Sequence, residues 1–343
     1  MLLNKDDCLV LRGLAITSIF LHNYCHLLPN ASHENEFFFS EENNIYFWNH
    51  LFSTDFLVQL FSYLGHLGVP VFVFLTGLGL SIKYGQSKDR IDVKTFIWNH
   101  YKKFFFPMLF GTILFILIYG IIHKSFWEGW PLSFISQMTL TNNLVLHPDR
   151  FIKPGPYWYF GMTMQLYIIY RILLYNRSNR YLMSLVLLSI IGYLLLESKH
   201  CSLIWFKYNA VGWLLPFAVG ILCAKETTCS RIKGRYWVAV LVCSMLSILL
   251  FGFNYYLWLI IPVITILFYI SISQLIEGYA YIIFHYLGRL SMFVFIVHPI
   301  VREVILNTFL GEYKYVGIVV YVAVTIVCSS LVSRLPNILL LNK

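Results

Sequence analysis

The sequence predicts an all-α polytopic membrane protein of about ten transmembrane helices, with both termini in the cytoplasm. Three observations predict it. Only 12% of the 343 residues are charged and 59% are hydrophobic, with a mean hydropathy of +0.70, whereas a soluble globular chain carries about 25% charged residues. Apolar runs long enough for ~20-residue spans recur along the whole length, separated by short connectors. Lys and Arg are unevenly shared between alternate connectors: with the N-terminus inside, eighteen fall on inner segments and seven on outer ones. That asymmetry sets orientation in a bilayer. It also accounts for the net charge of +9, so the charge gives no reason to expect a nucleic-acid partner.

Reading apolar runs against breakers and charge clusters places the spans at 8–28, 57–82, 104–122, 157–175, 181–196, 203–224, 236–252, 255–275, 279–300 and 315–334. The first ends before Pro29 and Asn30, and the second stops at Lys83. The third follows Lys102 and Lys103, and the fourth follows Pro154 and Pro156. Arg180, Lys225, Arg235, Glu277 and Lys314 mark the edges of later spans. The ninth is interrupted by Gly288 and Arg289, and Pro70 is placed to kink the second. No repeat is evident, so residues 1–343 read as one membrane domain without a soluble one. Two outer connectors are long. Residues 29–56 are acidic and aromatic without one Lys or Arg, and 123–156 carry the amphipathic run "SFISQMTLTNNL".

The seven cysteines form no CxxC pair and lie mostly in or beside apolar spans. They indicate neither a disulfide framework nor a zinc site. The first apolar run is followed by many others, so a cleavable signal peptide is not expected.

The segment "LRGLAITSIFLHNYCH", 11–26, puts ionisable groups into the first span. An Arg at a helix centre costs roughly 2.5–3.5 kcal/mol on insertion scales. Ten residues separate Arg12 from His22, about 15 Å of rise and roughly 80° of rotation. Arg12 therefore sits at the inner membrane surface, and His22 is more than halfway across, with His26 one turn further on the same face. His22 and His26 could be a metal pair, but no HExxH or carboxylate-rich helix accompanies them. They could be core histidines bonded to backbone, or a general base or acid in an internal cavity. Arg12 could equally be an interfacial anchor.

The wider sequence resembles the membrane-bound acyltransferase 3 family, whose first helix carries an Arg and, ten positions later, a His. The resemblance continues through "GHLGVPVFVFLTGLGLS" (65–81), "KTFIWNHYKKFFFP" (94–107) and "PYWYFGMTMQLYIIY" (156–170). It closes with "WLLPFAVGILCAK" (213–225) and "LGRLSMFVFIVHPI" (287–300), the latter ending in the family's Ser…His-Pro pattern. Thr76 stands where the family commonly has Ser, and Leu78 where it often has Phe. His100 and Lys103 represent its Arg-x-x-Arg approach to the third helix. Asp7 lies five residues before Arg12 rather than three, so no role is carried onto it.

The resemblance implies an O-acyltransferase of the cytoplasmic (inner) membrane. It would move an acyl group, most often acetyl, from cytoplasmic acetyl-coenzyme A or another acyl-coenzyme A to a hydroxyl. The acceptor would be a cell-envelope glycan or related extracytoplasmic molecule. Acyl-coenzyme A would be a co-substrate, with no bound cofactor and no metal. On this reading Arg12, Lys103 and His100 contact the donor, and His22 is general base or acyl relay. Asn23 and Tyr24 are near enough in sequence to be oxyanion donors. Trp158, Tyr159 and Tyr167 could floor an acceptor site. His26, Tyr24, Thr76, Ser81 and His298 are further cavity candidates, although back-bonding suits Thr76 and Ser81, and a buried hydrogen-bonded role suits His298. Two other classes fit the same composition. A transporter or flippase would use intramembrane polar groups, and a non-catalytic binding protein would keep the scaffold alone.

Overall fold

The computed structural model describes residues 3–85, 92–197, 200–225, 234–308 and 313–340, apart from the side chains of 200–201 and 335–340. Lys88 and Arg90, on the basic connector between the second and third expected spans, and Cys229, one of the seven cysteines, lie outside these. Among the described residues the regular structure is entirely helical. Seven helices are long and apolar enough to cross a membrane: α1 (Lys5–Cys25), the run α3 (Phe56–Leu64) to α4 (Gly68–Tyr84), α5 (Val93–His123), α9 (Asn179–Leu196), α12 (Gly234–Phe251), α15 (Gly278–Leu306) and α16 (Lys314–Leu340). A bent pair, α10 (His200–Tyr208) and α11 (Leu214–Lys225), makes an eighth with a 71° bend. The remaining two expected spans are shorter: α8 (Trp158–Ile169), continued by a π-turn over Tyr170–Leu174, and α14 (Ile261–Leu275). The segment 29–56 holds α2 (Glu41–His50), 123–156 holds α6 (Trp130–Met138) and α7 (Pro148–Phe151), and the one-turn α13 (Tyr255–Trp258) leads into α14.

The first two spans form the centre of the protein. Within an 18-residue apolar window of each span, buried residues make up 67% in α1 and 78% in the α3–α4 run, against 17–39% in the other long helices. Helix α1 starts on a capping box, in which Asn4 and Asp7 bond each other's backbone at 2.8 Å. It packs most extensively on α15, because Gly13 meets the Phe284 carbonyl and Gly288 meets the Leu9 carbonyl with no room for a side chain. Gly288 therefore does not interrupt the ninth span, which is one continuous helix with the two backbones brought together by small residues. Gly77 and Gly220 do the same for α4 and α11.

The second span is broken by a 3-10 turn at Gly65–Leu67, and Pro70 opens the segment that follows. In a first helical turn proline's missing N–H removes no bond, so the break lies before Pro70 and not at it. Helix α5 begins at Val93, eleven residues before the expected 104, because Asp92 caps it through the Thr95 amide at 3.1 Å. The basic approach to the third span is thus helical.

Both long connectors fold back onto the bundle. Gln59 accepts from the Ser32 amide at 3.1 Å and donates to the Asn30 carbonyl at 2.5 Å, while Phe37 stacks on Tyr208 at 4.3 Å. The amphipathic run includes Asn143, whose amide donates to the Trp158 carbonyl at 2.8 Å and the Tyr208 carbonyl at 2.6 Å. These ties hold 29–56 to α3 and α10, and 123–156 to α8 and α10.

Candidate active site

A cavity of about 550 Å³ runs between α1, α4, α5, α8 and α15, within the 300–1,000 Å³ common for small-ligand sites. Arg12, Lys83, His100 and Lys103 line the end near the start of α1. His22, Thr76 and Tyr159 line its middle, and His26, Glu36, Trp158 and Arg302 line the end under the 29–56 segment, while Tyr167, expected beside Trp158 on an acceptor floor, lies against His100 at the basic end. Gly79 contributes open space, since a Cβ there would meet nothing within 4 Å.

His22 is buried, 8% exposed, and its Nδ1 lies 3.0 Å from the Ser62 carbonyl oxygen. A carbonyl only accepts, so Nδ1 carries the proton and Nε2 keeps the lone pair. Gly65 makes this geometry possible: a Cβ there would lie 2.6 Å from the His22 Cβ and 2.6 Å from the Ser18 carbonyl oxygen. His22 is also the middle of a row of imidazoles, 4.9 Å from His26 and 5.5 Å from His66, with His33 a further 5.2 Å from His26. Among the described residues no group of three or more His, Cys, Asp or Glu is arranged to hold a metal ion.

At the basic end, Arg12 is exposed and has no carboxylate within 4.0 Å among the described residues. Lys103 and Lys83 are exposed beside it. His100 binds the Phe96 carbonyl through Nδ1 at 2.8 Å and rests on Tyr167 at 4.4 Å. This end presents cations on a wet surface, a setting suited to a polyanion.

The opposite end is more mixed. Trp158 is buried and meets Phe37 edge-on at 5.2 Å. In the covering loop, burial raises the Glu36 carboxyl to about 7, against the pull of Lys207, and raises Glu34 to about 8. Thr76 lines the cavity but back-bonds to the Phe72 carbonyl at 2.8 Å.

Tyr24, Ser81 and His298 are not part of the lining. Tyr24 stacks on Tyr321 at 4.5 Å, on the α16 side of α1. Ser81 is buried on α4, and His298 is fully buried with Nδ1 on the Val294 carbonyl at 3.0 Å. Asn23 does line the cavity, but its amide donates to the Ile19 carbonyl at 2.9 Å and its Oδ1 accepts from Arg302 at 3.2 Å. Sequence reasoning missed Arg302. The available signal was its place one turn after His298, on a helix that continues past the expected boundary at 300.

One cavity therefore joins a cationic end to a polar and aromatic end, with an imidazole lone pair between them. A family model described as an acyltransferase domain matches residues 9–334, nearly the whole chain. The chain belongs to the acyltransferase 3 family, and is a membrane acyltransferase. Neither the curated proteins nor the solved structures gave a significant match.

Proposed function

We propose that this acyltransferase moves an acetyl or related short acyl group from acyl-coenzyme A to a hydroxyl of an envelope glycan or similar extracytoplasmic acceptor. The chain would cross the inner membrane ten times, counting the bent pair, α8 and α14, with both termini cytoplasmic and the Arg12 mouth on that side. Eighteen Lys and Arg on the inner segments support this orientation.

The observation that carries the mechanism is the fixed tautomer of His22 in the wall of a cavity that also takes in Arg12 and Arg302. Arg12, Lys83 and Lys103 hold the donor phosphates, the guanidinium by a fork of donors and the lysines as point charges. The thioester then extends about 15 Å along α1 to His22. Nε2 takes the proton of the acceptor hydroxyl as its oxygen attacks the thioester carbon. The tetrahedral intermediate collapses, the C–S bond breaks, and the leaving sulfur takes the proton back from the imidazolium. The products are an O-acyl ester and coenzyme A. A positioned base of this kind contributes about 10²–10⁴-fold.

The test uses the full chain in lipid nanodiscs with acetyl-labelled acetyl-coenzyme A. The reading expects release of coenzyme A and label on a hydroxyl acceptor, both lost in His22→Gln. A transporter would release no coenzyme A, and that result would overturn the assignment.

A further inference from the structure

A cation at the covered end of the cavity makes no ion pair among the described residues. Arg302 lies on α15 in the cavity wall, half-buried, and its Nη1 donates only to neutral acceptors, the Asn23 carbonyl at 3.3 Å and Asn23 Oδ1 at 3.2 Å. Its Nε is fully buried and has no partner. Among the described residues no carboxylate lies within 4.0 Å of it. Glu303, next in the chain, is committed elsewhere, to His123 at 2.7 Å. Burying a charge without a counter-charge is costly. A guanidinium kept this way, in a cavity and with donors unspent, is matched by an anion that arrives with a ligand.

We infer that Arg302 is the receptor for a carboxylate on the acceptor, so that the acceptor is an acidic sugar such as a uronic acid. This rests on the acyl-transfer reading of the cavity. Arg302 is tied to Asn23, the residue after His22. A carboxylate held on the part of the guanidinium that faces the cavity would bring the sugar's hydroxyls toward the His22 imidazole. The remaining polar groups favour a single negative charge over a phosphate. Asn23 and Asn35 are neutral amides, and Glu36 on the same wall opposes further negative charge.

The probes are methyl β-D-glucuronide, methyl β-D-glucoside and glucose 6-phosphate, titrated against the full chain in nanodiscs and followed by quenching of tryptophan fluorescence, with Trp158 in the cavity as reporter. The wild type is expected to bind the glucuronide at least about tenfold more tightly than the glucoside. Arg302→Gln should bring that ratio close to one, and Arg302→Lys should keep part of it. Equal binding of glucuronide and glucoside by the wild type would overturn the inference, as would a preference that survives Arg302→Gln. Tighter binding of glucose 6-phosphate than of glucuronide would overturn the choice of carboxylate. Acetyl-coenzyme A turnover by the wild type is scored separately. Turnover without a glucuronide preference defeats the Arg302 inference alone. A preference without turnover defeats the acyl-transfer reading and leaves an anion site.

Discussion

The placement of His22 depends on a residue with no side chain, and Gly65→Ala tests that dependence. The added Cβ would sit 2.6 Å from the His22 Cβ and 2.6 Å from the Ser18 carbonyl oxygen, while ordinary contact begins at 3.4 Å, so α1 and the 3-10 turn must part by about 0.8 Å. Two of the colliding atoms are backbone or anchored to it, and neither can rotate away. Overpacking of this kind costs about 1–3 kcal/mol. The catalytic loss should exceed what that stability change explains, because a misplacement of about 1 Å at a reacting group costs on the order of 10²-fold. The assay is the rate of coenzyme A release at saturating acetyl-coenzyme A and acceptor, with thermal unfolding measured in the same nanodiscs. Gly234→Ala is the control, since a Cβ there meets nothing within 4 Å. We expect kcat to fall about 100-fold in Gly65→Ala and to hold in the control. A folded Gly65→Ala protein with wild-type kcat would refute the claim that this seam sets the position of His22.

Other predictions follow from the same geometry. Arg12→Ala should raise KM for acetyl-coenzyme A by about tenfold or more, because a hydrogen bond to a charged group is worth about 1.5–3 kcal/mol. Arg12→Lys should recover only part of this, and steady-state kinetics at varied donor concentration reads both. Gly79→Phe should fill open space in the cavity and abolish transfer. Its stability should stay within about 0.5 kcal/mol of wild type, as for substitutions that disturb no packing, with unfolding curves as the check. Burial raises the Glu34 carboxyl from 4.5 to about 8, so between those values the folded state holds a proton that the unfolded state has lost. Stability therefore falls as pH rises through that window and levels off above it. Glu36, raised to about 7, adds a slope of the same sign, so in Glu34→Gln the thermal midpoint should keep only that smaller part, and an unchanged slope would contradict the burial argument.

How much of this was legible in the sequence depended on the range of the interactions involved. The separation of Arg12 and His22 along one helix follows from periodicity, and both line one cavity. Tyr24 illustrates the same rule: two residues beyond His22 is a rotation of about 200°, which turns it to Tyr321 on α16. Arg302 was hidden by a boundary, because α15 runs to Leu306 and places in the helix a residue the sequence reading had put in a connector. The bend at Asn209 could not be read locally. Its amide donates to the Asn143 carbonyl at 3.0 Å, and its Oδ1 accepts from Gln165 at 2.8 Å. Those partners are 66 and 44 residues away. The collision that fixes Gly65 beside His22 is likewise a meeting of two spans, visible only once they pack.

The central claim is that His22 carries acyl transfer to an envelope acceptor. Mass spectrometry of envelope glycans from three strains tests it most directly: wild type, deletion, and His22→Ala at matched membrane abundance. The account predicts an acyl mass increment in the wild type that is absent from both others. An increment that disappears in the deletion but persists in His22→Ala would contradict it, and would leave the imidazole bonded to Ser62 with a packing role only.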